Sequence, residues 1–177
     1  AILLAGKIPV NLNFTAGKEA MESAIKQCNI KTIITSRVFL AKARVEDIDG
    51  MVFLEDLMGQ ITTIQKTFAF LFAFILPYRL LQTLYRHGEQ NPDALATVIF
   101  SSGSTGIPKG VMLSHNNILS NIEGFAQVIS TTKVDRVMGI LPFFHSFGFT
   151  GTLWFPLLSG FGVVYHANPM DAKTIGE

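Results

Sequence analysis

Short apolar runs alternate along the chain with stretches of helix length. Segment 9–13 predicts the end of a strand, and six further runs predict strands at 32–35, 51–54, 96–100, 110–113, 137–141 and 162–165. Three helices are predicted, 15–28, 36–43 and 115–129, with Thr15, Ser36 and Ser114 as their capping residues. Strands separated by helices require right-handed crossovers, so the pattern predicts an α/β fold with a mostly parallel sheet flanked by helices.

One apolar run breaks this pattern. Residues 68–76 are all apolar and include four phenylalanines. A membrane-spanning helix needs about 20 residues, so the run is too short to cross a bilayer. It can form a buried helix, which is the favoured interpretation, or an interfacial helix that lies on a membrane or lines an acyl pocket. Lys66 and Arg79 flank the run, and we treat residues 61–90 as an apolar insert.

The composition fits a folded chain with much apolar surface. Hydrophobic residues make up 49% of the 177 residues and charged residues 15%, against a typical charged share of about 25%. The mean hydropathy of +0.38 excludes a disordered chain, and the length fits one domain. The 14 Lys and Arg nearly balance the 13 Asp and Glu, so we expect no nucleic-acid partner.

The cysteine content and the start of the chain bear on its location. Cys28 is the single cysteine, which excludes an internal disulfide and a cysteine-based zinc site and is consistent with a reducing compartment. The chain begins with Ala1 inside an apolar run and shows no basic region or cleavage site of a signal peptide. We expect a cytoplasmic protein, at the inner face of a membrane if 68–76 contacts lipid, and we expect both ends to be cut from a longer chain.

The residues with the clearest chemistry lie between 96 and 115. A strand-like run leads into a loop that ends at Lys109 and Gly110 before a second apolar run. The loop contains four hydroxyl residues and two glycines, which are Ser101, Ser102, Ser104, Thr105, Gly103 and Gly106. Glycines let backbone N–H groups approach an anion, hydroxyls add donors, and a lysine supplies charge for a polyphosphate. Because the second run also predicts a strand, we expect the loop to join two strands in a hairpin.

Composition alone leaves a second interpretation open, because most loops rich in glycine and serine are surface turns that bind nothing. The loop also differs from the G-x-x-x-x-G-K-[ST] pattern, since Lys109 follows Gly106 by three residues and no Ser or Thr comes next. The ordered string 101–110, however, resembles the signature [ST]-[ST]-G-[ST]-T-G-x-P-K-G of the AMP-forming acyl-activating family at every position. The resemblance implies an ATP site in which these hydroxyls, glycines and Lys109 hold the β- and γ-phosphates.

A second motif, residues 141–148, resembles the aromatic–histidine segment that follows this loop in the family. A lone histidine in an apolar run is more often a satisfied structural residue. At this position the resemblance implies instead that His145 orients the carboxylate or the loop. Phe144, Phe147 and Gly148 are then expected on the substrate side, where the phenylalanines wall an apolar pocket or belong to the core.

The resemblance covers most of the chain. Residues 6–13 are similar to an early motif of the family, in which a strand ends in a variant of P-x-N. The sequence of this region and the apolar insert most resemble the acyl-acyl-carrier-protein synthetase half of 2-acylglycerophosphoethanolamine acyltransferases. They also resemble long-chain acyl-CoA synthetases. The resemblance implies a ligase that uses ATP and Mg²⁺, forms a fatty acyl-AMP and passes the acyl group to the thiol of acyl carrier protein or coenzyme A.

The later motifs of the family are not found in the 177 residues. In the family these are an aromatic-x-x-Thr-Glu segment for adenine and magnesium, an aspartate for the ribose, a hinge and a C-terminal lysine. The resemblance therefore implies that residues 1–177 form a truncated AMP-binding N-terminal domain that lacks most of the Mg²⁺ ligands. We expect the chain alone to be inactive.

Two other functions stay open as alternatives. A membrane-associated lipid-binding module would use residues 68–76 as its surface. Part of a lysophospholipid acyltransferase is suggested only by His166-x-x-x-x-Asp171, a pattern that arises readily by chance in a chain with four histidines. No metal site is predicted, because four acidic residues fit no ligand spacing and are expected in a solvated turn: Asp47, Asp49, Glu55 and Asp56.

Overall fold

The structure is a computed structural model that describes residues 2–3, 5–85, 91–101 and 108–176. The chain divides into two compact units, the first of Ala1–Lys7 and Phe14–Glu89 and the second of Ile8–Asn13 and Gln90–Glu177. The strands are β1 (Val10–Asn11), β2 (Ile33–Thr35), β3 (Met51–Phe53), β4 (Leu95–Ser101), β5 (Lys109–Ser114), β6 (Arg136–Gly139) and β7 (Gly162–Tyr165). The helices are α1 (Lys18–Gln27), α2 (Arg37–Ala43), α3 (Leu54–Gln60), α4 (Thr63–Ile75), α5 (Tyr78–Tyr85), α6 (His115–Val128), α7 (Ser146–Phe149), α8 (Phe155–Ser159) and α9 (Ala172–Gly176), with a π-helical segment (Thr150–Trp154) between α7 and α8.

Most strand pairings in the described part of the chain are parallel, which confirms the predicted α/β fold. β1 pairs with β4, β2 with β3 and β6 with β7, each in parallel. The exception is the antiparallel pair of β4 and β5. These pairings form three small sheets rather than one. Local patterns could not predict this division, because they indicate where strands lie and not which strands pair.

The helix starts of the first unit agree only in part with the prediction. α1 starts at Lys18 with Gly17 at its N-cap position, so the prediction that Thr15 caps this helix is wrong. Gly17 has a φ of +86°, which side-chain-bearing residues rarely adopt, and this conformation turns the chain into the helix. α2 starts as predicted, because Ser36 Oγ accepts a hydrogen bond from the Phe39 N–H at 3.3 Å.

A short helix, α3, follows β3 where the sequence predicted the end of a strand and a turn. Leu54, predicted as a strand residue, is its first residue. Glu55 Oε1 accepts hydrogen bonds from Ser36 Oγ at 2.8 Å and from the Arg37 N–H at 3.0 Å. Asp56 makes two hydrogen bonds with the Arg37 guanidinium, at 2.8 and 2.6 Å, and these lower the pKa of Asp56. The two exposed acids therefore connect the start of α3 to the start of α2.

Helix α4 contains most of the apolar run, and it is exposed. A capping box starts it, in which Thr62 Oγ1 accepts from the Gln65 N–H at 3.2 Å and Gln65 Oε1 accepts from the Thr62 N–H at 2.9 Å. None of its residues is buried, so the prediction of a buried helix is wrong. An apolar run indicates which residues avoid water, and it does not indicate whether the chain covers them. No helix within the described residues has the length and apolar character to cross a membrane.

The core of the second unit lies around β4, in which residues 96–100 are all buried. The buried hydrophobic cluster of this core consists of residues from β4, α6, α7 and α8: Ala96, Ile99, Ile118, Ile122, Phe149 and Phe155. Thr97 is 0% exposed and donates from Oγ1 to the Pro9 carbonyl oxygen at 2.8 Å, which fixes β1 beside β4. Ser114 caps α6 as predicted, with Oγ accepting from the Asn117 N–H at 3.1 Å.

Gly148 occupies a position in α7 that has no room for a side chain. A Cβ atom there would lie 2.3 Å from the Pro142 carbonyl oxygen and 2.6 Å from the Leu141 carbonyl oxygen. Both are backbone atoms that cannot rotate away. A larger residue would therefore push the segment before α7 away from the helix.

We expect Gly148→Ala to lower the free energy of unfolding by about 1–3 kcal/mol, the usual range for overpacking. Gly124→Ala is the matched control, because Gly124 lies in α6 and no atom lies within 4 Å of its Cβ position. Alanine at that position should stabilise the protein by up to about 1 kcal/mol. Thermal unfolding of both variants measures the difference, and a Gly148→Ala protein as stable as the control would contradict the close contact.

Candidate functional site

The hairpin predicted around the phosphate loop is present. Ser101, the last residue of β4, is paired across the ladder with Lys109, the first residue of β5. Ser101 Oγ donates a hydrogen bond to the Lys109 carbonyl oxygen at 3.4 Å, and both residues are exposed. Five other predicted loop residues lie outside the described part of the chain: Ser102, Gly103, Ser104, Thr105 and Gly106.

The described end of the hairpin is crowded on one side and positively charged. Gly110 is paired with Phe100, and a Cβ atom on Gly110 would lie 3.3 Å from the Phe100 ring. Lys109 is the only Lys, Arg, Asp or Glu in the sequence from 94 to 122. A positive charge with no acid near it in sequence fits the binding of an anion.

The aromatic–histidine segment, residues 141–148, turns the chain after β6 and continues into the start of α7, and we call it the His145 turn. The His145 N–H donates to the Pro142 carbonyl oxygen at 3.0 Å, and the His145 carbonyl oxygen accepts from the Phe149 N–H at 2.9 Å. His145 Nδ1 accepts from the Phe147 N–H at 3.2 Å and so caps α7. A neutral imidazole that accepts at Nδ1 carries its proton on Nε2. Because His145 is exposed, its Nε2 can donate a hydrogen bond to a carboxylate.

The three predicted substrate residues differ in exposure. Phe147 is 51% exposed, Phe144 is half-buried and Gly148 is buried. Gly148 has a packing role, because the absence of a side chain lets the segment before α7 pass close to the helix. Phe147 lies at the surface beside His145, where an apolar substrate could contact it.

Two aromatic pairs hold the sides of the His145 turn. The Phe147 ring packs edge-on against Phe125 of α6, with ring centres 6.2 Å apart. The Phe143 ring packs edge-on against Tyr165 of β7, with centres 5.6 Å apart. Phe143 and Phe147 therefore each have a fixed partner and stay partly exposed, which makes an apolar surface next to His145 in the sequence.

Helix α6 connects the hairpin with the His145 turn inside the second unit. β5 ends at Ser114, which caps α6, and Phe125 in the last turn of α6 contacts Phe147. Within the described ranges, no hydrogen bond or ion pair joins Ser101 or Lys109 directly to His145. Among the described residues, the two motifs are therefore linked through α6 and not through a direct contact.

Sequence analysis did not single out Tyr165 or Thr152, both of which bear on the His145 turn. The Tyr165 hydroxyl donates to the Thr152 carbonyl oxygen at 2.7 Å, and burial raises its pKa. Thr152 Oγ1 donates in turn to the Gly148 carbonyl oxygen at 2.8 Å. Residues so far apart in sequence form no local pattern. The one available signal in the sequence was that residues 137–170 contain hydroxyl side chains but no formally charged residue.

The residues that suggested an acyltransferase lie close to each other. His166 Nε2 and Asp171 Oδ2 are 3.4 Å apart, but Nε2 has no hydrogen-bond partner among the residues that the structure describes. Asp171 Oδ1 accepts from the Thr174 N–H at 3.2 Å at the start of α9, and hydrogen bonding with Thr174 is the main reason that the pKa of Asp171 is lowered. This geometry is that of an aspartate that caps a helix beside a histidine.

Comparison with known proteins gives the same family for most of the chain. A model of the AMP-binding enzyme family matches residues 1–176. A long-chain-fatty-acid–CoA ligase of Bacillus subtilis (strain 168) is 27% identical over 186 residues, which cover 92% of this chain and 33% of that protein. A medium-chain fatty-acid–CoA ligase of Escherichia coli (strain K12) is 43% identical over 68 residues, which cover 38% of this chain and 12% of that protein.

A solved structure shows the same fold. O-succinylbenzoate coenzyme A synthetase (MenE) from Bacillus subtilis, in complex with ATP and magnesium ion, matches with a TM-score of 0.71 at 22% identity, over 98% of this chain and 41% of that chain. The chain spans about a third of the length of the long-chain ligase. The resemblance that the string 101–110 indicated is confirmed by the match over residues 1–176, and the chain belongs to the AMP-binding enzyme family.

Proposed function

We propose that the whole protein is an ATP-dependent acid–thiol ligase that converts a fatty acid to acyl-AMP and transfers the acyl group to a thiol. The proposal rests on the β4–β5 hairpin, which pairs Ser101, the first residue of the family's signature string, with Lys109, its ninth residue. The two relatives named as fatty-acid–CoA ligases support a fatty acid substrate and coenzyme A as acceptor. Acyl carrier protein is the alternative acceptor, supported by the sequence resemblance alone.

In the first step the acid displaces pyrophosphate from ATP. A carboxylate oxygen attacks the α-phosphorus, the bond from that phosphorus to the bridging oxygen breaks, and negative charge grows on the leaving pyrophosphate. Lys109, Ser101 and the other hydroxyls and glycines of the string 101–110 would hold that charge. Mg²⁺ supplies further positive charge when it is bound with the phosphates. Among the described residues no three His, Cys, Asp or Glu side chains come together for a metal ion, so we propose that most of its ligands lie elsewhere in the whole protein.

The acid would bind at the His145 turn. His145 Nε2 would donate a hydrogen bond to the carboxylate, and the exposed edge of Phe147, with Phe144 beside it, would contact the acyl chain. In the second step the thiol sulfur attacks the acyl carbon, the bond from that carbon to the AMP oxygen breaks, and AMP leaves. The hydrogen bond from His145 would fix the acid for attack in the first step.

The 177 residues hold only part of such a site. The chain spans 33% of the long-chain ligase, and its sequence contains neither the adenine and ribose motifs of the family nor its C-terminal lysine. We therefore propose the activity for the whole protein, and we expect residues 1–177 alone not to turn over.

We expect Lys109→Ala in the full-length protein to slow acid-dependent pyrophosphate release about 100-fold, the usual effect of removing one group that stabilises developing charge. Lys133→Ala is the matched control, since it removes an equally exposed lysine from the turn before β6. Both variants should keep the melting temperature of the wild type. Pyrophosphate release by Lys109→Ala at the rate of the control would count against the assignment of the loop.

We also propose peripheral contact with a membrane, which the exposure of α4 favours. Phe68, Phe70 and Phe74 are 57%, 68% and 81% exposed. Successive helical residues are about 100° apart around the axis, so Phe68 and Phe72 lie on the side opposite Phe70 and Phe74. The Phe70 and Phe74 rings stack with their centres 6.2 Å apart, and the Phe68 and Phe72 rings, tilted by 31°, have their centres 6.4 Å apart. A helix that is apolar on opposite sides needs cover on more than one side, and we propose that α4 is immersed in the headgroup–acyl boundary of a lipid surface.

The charges around α4 fit an anionic lipid surface. Residues 57–88 contain three of the 14 Lys and Arg and none of the 13 Asp and Glu, which leaves 11 against 13, a net charge of −2, for the rest of the chain. Lys66 and Arg79 are exposed at the two ends of the apolar run. Basic residues near anionic headgroups each contribute about 1 kcal/mol to membrane attraction. We propose that the insert 61–90 holds the protein at the cytoplasmic face of a membrane.

We expect the double variant Phe70→Ser, Phe74→Ser to lower partitioning onto phosphatidylglycerol–phosphatidylcholine vesicles about 100-fold, because burial of one phenylalanine contributes at least about 1.5 kcal/mol. Val134→Ser with Met170→Ser is the control, since these residues are 82% and 86% exposed outside α4. Co-sedimentation measures binding. Unchanged partitioning, or equal binding to pure phosphatidylcholine, would contradict an anionic lipid surface. If the protein forms dimers without vesicles, and the phenylalanine variant abolishes them while the control variant does not, a second copy of the chain covers the helix.

A further inference from the structure

The His145 turn is held at both of its ends by one residue from another element. Tyr165, the last residue of β7, packs its ring edge-on against Phe143 near the start of the turn. Its hydroxyl donates to the carbonyl oxygen of Thr152, whose own hydroxyl donates to the carbonyl oxygen of Gly148 at the end of the turn. His145 lies between these two points of attachment.

The path of the Tyr165 side chain depends on a glycine in the neighbouring strand. Gly139 of β6 is paired with Tyr165, and a Cβ atom on Gly139 would lie 2.5 Å from the Tyr165 ring. The ring therefore lies over the backbone of β6, and this position lets the hydroxyl reach the π-helical segment. The two hydrogen bonds are short, at 2.7 and 2.8 Å, and Thr152 is only 2% exposed, so water does not compete well for its hydroxyl.

The π-helical segment places the middle of this connection. π-Helical turns are rare and occur frequently at functional sites. Here the segment begins directly after α7, and its residue Thr152 faces back to Gly148. This buried hydrogen bond connects the π-helical segment to Gly148, the last residue of the His145 turn.

We propose that Tyr165 is a positioning residue, which fixes the His145 turn through Thr152 and Phe143 and so directs His145 Nε2 toward the carboxylate of the acid substrate. This inference rests on the proposed function for its substrate and on the geometry for the connection itself. Tyr165 acts through the turn and needs no contact with the reacting atoms. The Nδ1 bond to the Phe147 N–H sets the direction of the imidazole, and that bond persists only while the turn keeps its shape.

The connection itself is tested by the reactivity of His145 in the full-length protein. Diethyl pyrocarbonate acylates an imidazole nitrogen that bears a free lone pair, and in the wild type the Nδ1 lone pair of His145 is engaged by the Phe147 N–H. Peptide mass spectrometry measures the rate of modification at this residue. Tyr165→Phe removes the hydroxyl and should raise that rate about fivefold, the factor that corresponds to loss of one typical hydrogen bond.

Variants of Thr152 separate the connection from a general loss of stability. Thr152→Val should raise the modification of His145 as Tyr165→Phe does, and Thr152→Ser, which keeps the hydroxyl, should restore the wild-type rate. Thr97→Val is the matched control, because Thr97 is 0% exposed and also donates from Oγ1 to a backbone carbonyl at 2.8 Å. It should lower the melting temperature by a similar amount and leave His145 unchanged. If Tyr165→Phe does not fold, Thr152→Val and Thr152→Ser make the same comparison.

Steady-state kinetics test the direction of His145 toward the acid. In Tyr165→Phe, KM for the carboxylic acid should rise about fivefold while KM for ATP stays within about twofold. Unchanged modification of His145 would overturn the proposal whatever the kinetics. Raised modification with an unchanged KM for the acid would overturn the role toward substrate. If the wild-type protein releases no pyrophosphate and Tyr165→Phe still raises the modification of His145, the connection stands and the proposed function is rejected instead.

Discussion

Burial of β4 is the constraint on which the second unit depends. Five consecutive residues, 96–100, are buried, so the strand must be covered on both faces and paired on both edges. β1 pairs with one edge, where Thr97 bonds the Pro9 carbonyl, and β5 pairs with the other. The same strand ends at Ser101, opposite Lys109. The burial that stabilises the core thus sets the distance between Ser101 and Lys109 of the signature string.

Local signals accounted for the elements whose cause is local. Ser36 and Ser114 cap helices as predicted, because a serine hydroxyl can reach a backbone N–H three residues later without help from the rest of the chain. Thr15 failed as a cap because Gly17, with its positive φ, provides a different entry into α1. α3 was missed because Glu55 and Asp56 read as turn residues. Their partners, Ser36 and Arg37, come from a helix 18 or 19 residues earlier.

The candidate site shows the same limit. The string 101–110 could be recognised because the chemistry of a phosphate loop needs its residues in one order. The geometry of His145 was partly unexpected, because its Nδ1 accepts a hydrogen bond from the Phe147 N–H and so has the structural role that a lone histidine usually has. Tyr165 was invisible to pattern analysis because its contacts with Gly139 and Thr152 arise only in the folded structure. Such a relation exists only after β6 and β7 have paired.

Helix α4 receives little stabilisation from burial within the described part of the chain. A helix shorter than about 12–15 residues is marginal in water on its own, and α4 has 13 residues, none of them buried. Its capping box contributes about 1 kcal/mol, whereas each phenylalanine taken out of water contributes about 1.5–3 kcal/mol. An apolar phase that covered the phenylalanines of α4 would therefore stabilise the helix more than its capping box does. Under the lipid proposal, helix formation and membrane contact are coupled, because the phenylalanines can lie around the helix only where water is absent on several sides.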